Sequence, residues 1–297
     1  MALSILQRKF ADLPNVGASN LSTINIPAMN NHHGLLLNFI SAVPAALTQA
    51  QIETDVSWVS VTLTHGGKQV KILDRMTPAE IFDLLNDYPE AALSTYTNAG
   101  VLHIPYAMPG RFRAQNWVLA LGMADVSVYN VQVQFSAGLA TTATVEVVPE
   151  IDLEATRPLG EHVEWRIDTR DRAATGIETL IDAPHGEPGT AMFEYHIGLG
   201  TAPGVISNVA VTLDKNDIYT DLDAAMNNLN LHRRRRTPNA DYFHVPLDLN
   251  HTPIDVGNAK EFIQKWTWGT APVTYRVIYG LIAGIGQSNV QPATKAA

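Results

Sequence analysis

The sequence predicts an all-β protein built from two similar sandwiches, each with a short inserted helix, and three paired features carry that prediction. WVSVTL (58–63) and NVAVTL (208–213) share a VTL strand, 150 residues apart (212 − 62). A capped amphipathic helix follows in each half. Each half then has a strand with His-x-Pro inside it, VLHIPYAM at 101–108 and YFHVPLDL at 242–249, 141 residues apart (244 − 103). Proline withholds a ladder hydrogen bond, so the same unusual choice at the same place points to duplication.

In the VTL strands alternate positions are apolar, Val59, Val61 and Leu63 in the first and Val209, Val211 and Leu213 in the second. That period of two marks strands with one buried face. His65-Gly66-Gly67-Lys68 reads as a hairpin turn whose glycines can take positive φ, and DKND (214–217) reads as its counterpart. In TPAEIFDLLNDYP, Thr77 is the N-cap, Pro78 the first helical residue and Glu80 the partner in a capping box. Ile81, Leu84, Leu85 and Tyr88 share one face. TDLDAAMNNL repeats the pattern with Thr220 as cap and Asp223 in the box, placing Leu222, Ala225, Met226 and Leu229 on one face.

The His-x-Pro strand follows, with Leu102, Ile104 and Tyr106, or Phe243, Val245 and Leu247, directed inward. His103 and His244 then point away from the core. A Trp-containing strand comes next, NWVLALGM (116–123) or KWTWGT (265–270). The alternating VSVYNVQVQFSAG (126–138) aligns with PVTYRVIYGLIAG (272–284). Offsets drift between halves as loops vary in length.

Several short strands per half at regular spacing fit a jelly roll. With strands lettered B to I and sheets ordered B-I-D-G and C-H-E-F, the His-x-Pro strand is F, an edge, where proline costs least. The expectation is a double jelly roll of two tandem eight-stranded sandwiches. Residues 1–150 form the first and 175–285 the second, with 151–174 as a polar, poorly periodic connection and 286–297 as a flexible tail. Residues 20–140 and 175–284 are expected to superpose.

Composition narrows function. Apolar residues make up 46% and charged residues 16%, as in a packed globular protein. A net charge of −9 argues against sequence-specific nucleic-acid binding, which needs a basic surface. Cysteine is absent, which removes disulfides and thiolate chemistry. No apolar run reaches membrane-span length, and MALSILQRKF lacks a secretion signal.

LPNVGASNLSTINIPAM, the GLLLNFI strand, the VTL strand with its glycine hairpin and the TPAEIFDLL helix together resemble the major capsid proteins of corticoviruses, tailless icosahedral phages with an internal membrane. The resemblance implies a double jelly roll with no enzymatic role, trimers that tile a shell over a lipid vesicle, and residence in the virion after synthesis in the host cytoplasm. It also implies contacts with other capsid proteins, such as a vertex protein, and with the viral membrane or its proteins. Two similar sandwiches give a trimer a pseudo-hexagonal outline suited to tiling. The loops MPGRFRAQ and NHTPIDVGNAK, placed between strands F and G, are expected at subunit contacts.

No catalytic, cofactor-binding or metal residue is assigned. HExxH, G-x-S-x-G and phosphate-loop motifs are absent, and His32-His33 lacks the downstream ligands of a metal-binding cupin. His103 and His244 read as exposed edge residues covered by subunit contacts, or as pH-responsive interface groups. Asp214 and Asp217, with Asp221 and Asp223, could supply oxygen ligands to structural Ca²⁺ at a subunit contact, although a turn and a helix cap account for them and no cofactor is required. Arg233, Arg234, Arg235 and Arg236 form the one strong basic run, to be solvated, paired with a neighbour's carboxylates or set against lipid headgroups. The alternative function is a tandem carbohydrate-binding protein, which would need exposed aromatics.

Overall fold

A computed structural model describes residues 6–41, 47–85, 100–107, 120–152, 156–199, 205–233, 238–248, 252–272 and 274–285. The chain divides into two compact units: among the described residues the first holds those up to Val163 and returns at Gly284, and the second holds Glu164–Ala283.

The first unit contains β1 (Leu6–Gln7), β2 (Ala11–Asp12), β3 (Leu21–Ile26), β4 (Asn31–Ser41), α1 (Gln49–Asp55), β5 (Val56–His65), β6 (Lys68–Met76) and α2 (Pro78–Glu80). A π-helical turn, Ile81–Leu85, extends α2. Then come β7 (Val101–Pro105), β8 (Leu121–Gly122), β9 (Val126–Phe135) and β10 (Thr142–Ile151). One sheet runs β1-β10-β4-β7, with β2 also on β10 and β8 on β4; the other runs β3-β9-β5-β6. Lettered from β1, these orders are B-I-D-G and C-H-E-F.

The second unit repeats the path. Its elements are β11 (His162–Asp171), β12 (Gly176–Leu180), β13 (Ala191–Gly198), β14 (Val205–Leu213), β15 (Asn216–Asp223), α3 (Ala224–Arg233), β16 (Tyr242–Pro246), β17 (Ile254–Asp255), β18 (Phe262–Thr270) and β19 (Thr274–Ala283). Its sheet orders are β11-β19-β13-β16 and β12-β18-β14-β15, again B-I-D-G and C-H-E-F. Both units are jelly rolls.

The VTL strands are both strand E, with Val59, Val61, Val209 and Val211 fully buried. Both E–F hairpins turn on two left-handed residues: Gly66 and Gly67 (φ 56° and 76°), then Asp214 and Lys215 (φ 47° and 68°). The non-glycine turn is held from outside, because Asp214 Oδ1 accepts from the backbone N–H of Lys260 at 2.8 Å and of Glu261 at 3.0 Å. The Thr77–Glu80 capping box forms as read, and Ile81, Leu84 and Leu85 are buried. Tyr88 lies outside the described residues.

Four assignments are corrected. The His-x-Pro strand is G, not F, because the short β1 takes letter B. Strand G is still an edge, the last strand of its sheet in both units. As a result, the loops read as F–G are G–H. Second, 126–135 is strand H and 274–283 is strand I, so those two do not correspond. The counterpart of β9 is β18, the strand that pairs with the second VTL strand. Third, 151–174 contains the ten-residue strand β11, strand B of the second jelly roll. Its charges are neutralised laterally: Arg166 pairs with Glu164 at 2.9 Å and Glu187 at 2.6 Å. Fourth, residues 216–223 are strand F. The helix therefore starts three residues later than read, and Asp223, not Thr220, caps it by accepting from Met226 N at 2.7 Å. That shift turns Met226 and Leu229 outward and buries Asn227 and Leu231.

Candidate functional site

The two G strands mark the polar constellations of the molecule. Each spans five residues and ends at its proline, Pro105 or Pro246. Strand G pairs with strand D in matching register: Pro105 opposite Gly34 and His103 opposite Leu36, Pro246 opposite Glu194 and His244 opposite His196. Leu102, Ile104 and Tyr106, and Phe243, Val245 and Leu247, face the cores as their alternation requires.

His103 and His244 turn to the opposite face, but neither is an exposed residue. His103 Nε2 lies 2.9 Å from Glu150 Oε2, and each side chain is 11% exposed. That bridge runs from β7 to β10 and passes over the intervening strand β4 at Gly34. An added Cβ at Gly34 would stand 2.9 Å from His103 Nε2 and closer still to Glu150 Oε2. Glycine is what leaves room for two outer strands to be tied across the middle one. Gln7 Nε2 donates to Glu150 Oε1 at 2.8 Å, which fastens β1 to the same carboxylate. Burial pushes the Glu150 carboxyl up, but the His103 bond and charge, the Gln7 bond and the His33 charge outweigh it and hold its pKa below the usual value.

His33 Nε2 lies 2.9 Å from Asp152 Oδ2, and Asn31 Nδ2 donates to Asp152 Oδ1 at 3.1 Å. His32 packs edge-on against Tyr129 in the core, where burial lowers its pKa to about 4 and keeps it neutral. In the second unit His196 Nδ1 and His244 Nδ1 approach to 2.6 Å, both buried, with Glu194 Oε1 3.1 Å from His196 Nε2. A hydrogen bond between two such nitrogens requires one ring to accept, so at least one of the pair is neutral. Alternation reveals that these histidines leave the core face, but it does not reveal that their other face is covered.

Two carboxylates missed in the sequence also organise the sandwiches. Asp55, 1% exposed, accepts from Ala140 N (3.1 Å), Thr141 Oγ1 (2.8 Å), Thr142 N (2.9 Å) and Thr142 Oγ1 (2.7 Å), fixing the H–I turn. Glu178 on β12 accepts from the Trp268 indole at 2.8 Å and the Tyr275 hydroxyl at 2.7 Å, which pins edge strand C to strands H and I. Neither carboxylate belongs to a recognisable motif.

Asp214 and Asp223 serve the turn and the helix cap, and Asp217 accepts from Thr212 Oγ1 at 2.9 Å. Among the described residues no group of three or more His, Asp or Glu side chains could hold a metal ion. Arg234, Arg235 and Arg236, the whole loop MPGRFRAQ (108–115) and the tail 286–297 lie outside the described residues, as does the Arg233 side chain. Trp165, Trp266 and Trp268 are fully buried, so none of these three offers a stacking platform to a sugar. No described helix is long and apolar enough to cross a membrane. Apolar side chains do stand outside on the C strands, Leu21 on β3 and Ile177 on β12, with Ile181 just beyond.

No family model matches this sequence, and no curated protein matches it. Solved structures do. The chain is similar to the major capsid protein P2 from bacteriophage PM2, with 16% identity, a TM-score of 0.74, and 95% of this chain and 97% of that one covered. It is also similar to the PBCV-1 virus capsid (9% identity, TM-score 0.64, 94% and 93% covered). A third similar structure is the STIV MCP (9% identity, TM-score 0.61, 95% and 97% covered). At these identities the likeness concerns the fold. This chain has the double jelly-roll fold of those capsid proteins over nearly its whole length.

Proposed function

We propose that this protein is the major capsid protein of a tailless icosahedral virus, with trimers that tile a shell over an internal membrane. The observation that supports it most is coverage. Both jelly rolls, in order and with little left over, match a chain of nearly equal length that forms a phage capsid. The buried polar clusters fit a structural role, since His103–Glu150, His33–Asp152 and Glu178 each tie strands together.

On this reading the protein is not an enzyme, resides in the virion and is made in the host cytoplasm. Its partners are further copies of itself, other capsid proteins such as a vertex protein, and the membrane or its proteins. The outward Leu21, Ile177 and Ile181 supply apolar surface for subunit contacts. Arg233–Arg236 pair with carboxylates of a neighbour, which a chain of net charge −9 supplies readily. Any structural Ca²⁺ belongs at such contacts. Native mass measurement of the full chain tests the proposal. A trimer supports it, and a monomer that binds glycans would establish the carbohydrate-binding alternative.

A further inference from the structure

Among the described residues, the core of the second jelly roll contains buried polar atoms that close no hydrogen bond of ordinary geometry. On β18, Phe262, Gln264, Trp266 and Trp268 form the row that faces the core, all buried. Gln264 is 0% exposed, and neither its amide nitrogen nor its amide oxygen makes a hydrogen bond with a described residue. It sits in register between Leu180 of β12 and Val211 of β14, which are apolar on both sides. Across the sandwich Tyr195 stacks on Trp266 with ring centroids 6.2 Å apart and lies 6.0 Å from Tyr279. The Trp266 indole is near the Tyr195 hydroxyl without closing a hydrogen bond of ordinary geometry, and the buried Tyr279 hydroxyl has no partner among the described residues.

The duplicated fold shows that none of this is required by the architecture. Val61 and Val211 are the same position of strand E. Val61 stands opposite Val131, while Val211 stands opposite Gln264. The first jelly roll therefore fills with valine the place that the second gives to an amide. Its buried tyrosine hydroxyls are also matched, Tyr106 to Tyr129 at 2.6 Å. Native interiors rarely leave such groups unpaired, and an amide offers two donors and an acceptor that a dry core would strand. Water satisfies buried polar groups of this kind, typically with about three hydrogen bonds.

We propose that the second jelly roll encloses internal water between its two sheets, bound by the Gln264 amide and shared with the Tyr195 hydroxyl and the Trp266 indole. Water is the ligand class that fits. The groups are neutral, they mix donors with acceptors, and apolar side chains surround them. A buried charge would lack a counter-ion among them.

A high-resolution crystal structure of the full chain, together with a Gln264→Met variant, tests this. The expected result is ordered density within about 3.2 Å of the amide. In the variant that density is lost, and the unfolding midpoint falls by on the order of 2–4 °C because the remaining groups lose their bridge. A well-defined Gln264 with no water at that distance overturns the proposal. So does a variant more stable than the parent, the outcome for an amide buried dry. If the variant does not fold, density around the parent Gln264 decides alone.

Discussion

Gly34→Ala tests whether the His103–Glu150 bridge over strand D stabilises the first jelly roll. The new methyl would meet His103 Nε2 at 2.9 Å, the Ile104 carbonyl oxygen at 3.2 Å and Glu150 Oε2 more closely. The carbonyl contact needs only a few tenths of an ångström of relief, whereas the other two atoms are already bonded to each other. Separating them removes a hydrogen bond to a charged group, worth about 1.5–3 kcal/mol when little exposed. Alanine returns about 0.5–1 kcal/mol as the better strand residue. The net expectation is a loss of about 1–2 kcal/mol, a fall of about 2–8 °C in the midpoint of the first jelly roll. Urea denaturation of the full chain reads it where unfolding is reversible.

A Glu150→Ala background supplies the control. With the carboxylate gone the methyl has room, so the cost of Gly34→Ala should shrink by at least half. Acidity should do the same. The Glu150 pKa is depressed below its ordinary 4.5, so its contribution is complete above that pH and is lost as pH falls through the lower, folded-state value. Equal cost in both backgrounds, or no cost at all, would refute the bridge as the reason for glycine.

Asp55→Asn keeps the shape but gives up the charge that gathers four donors around the H–I turn. It should cost about 2 kcal/mol by equilibrium denaturation. The Asp55 carboxyl is raised by burial and lowered more by the Thr142, Thr141 and Ala140 bonds, leaving it below 3.8. The parent's advantage over Asn should therefore be full above that pH and fade below it. Lys215→Gly should raise stability by about 1 kcal/mol, because the left-handed φ of 68° strains lysine and not glycine. Unchanged thermal melts would show that the turn stores no strain.

Much of this fold was legible because its signals are local. Alternation exposed the VTL strands, a capping box exposed the first helix, and paired glycines exposed the first E–F turn. The misassigned parts are those where a tertiary neighbour decides. Strands 126–135 and 274–283 both alternate Tyr and Val, and period two says nothing about which strand lies alongside. β11 does alternate, Val163, Trp165, Ile167 and Thr169 against His162, Glu164, Arg166, Asp168 and Arg170, but its charges and the polar residues around it make the segment look like a linker. Burial of His162 and Glu164 is decided by tertiary neighbours. β15 reads as a helix start because its Thr and Asp suit a cap equally well. The His196–His244 contact and the Asp55 turn join residues far apart in sequence, and no spacing rule links them.

Cryo-electron microscopy of the purified full chain at assembly concentrations tests the central claim most directly. The account predicts capsomers of hexagonal outline, three chains and six jelly rolls each, packed into closed shells. Dispersed single chains with no threefold particles at any concentration reached would contradict it.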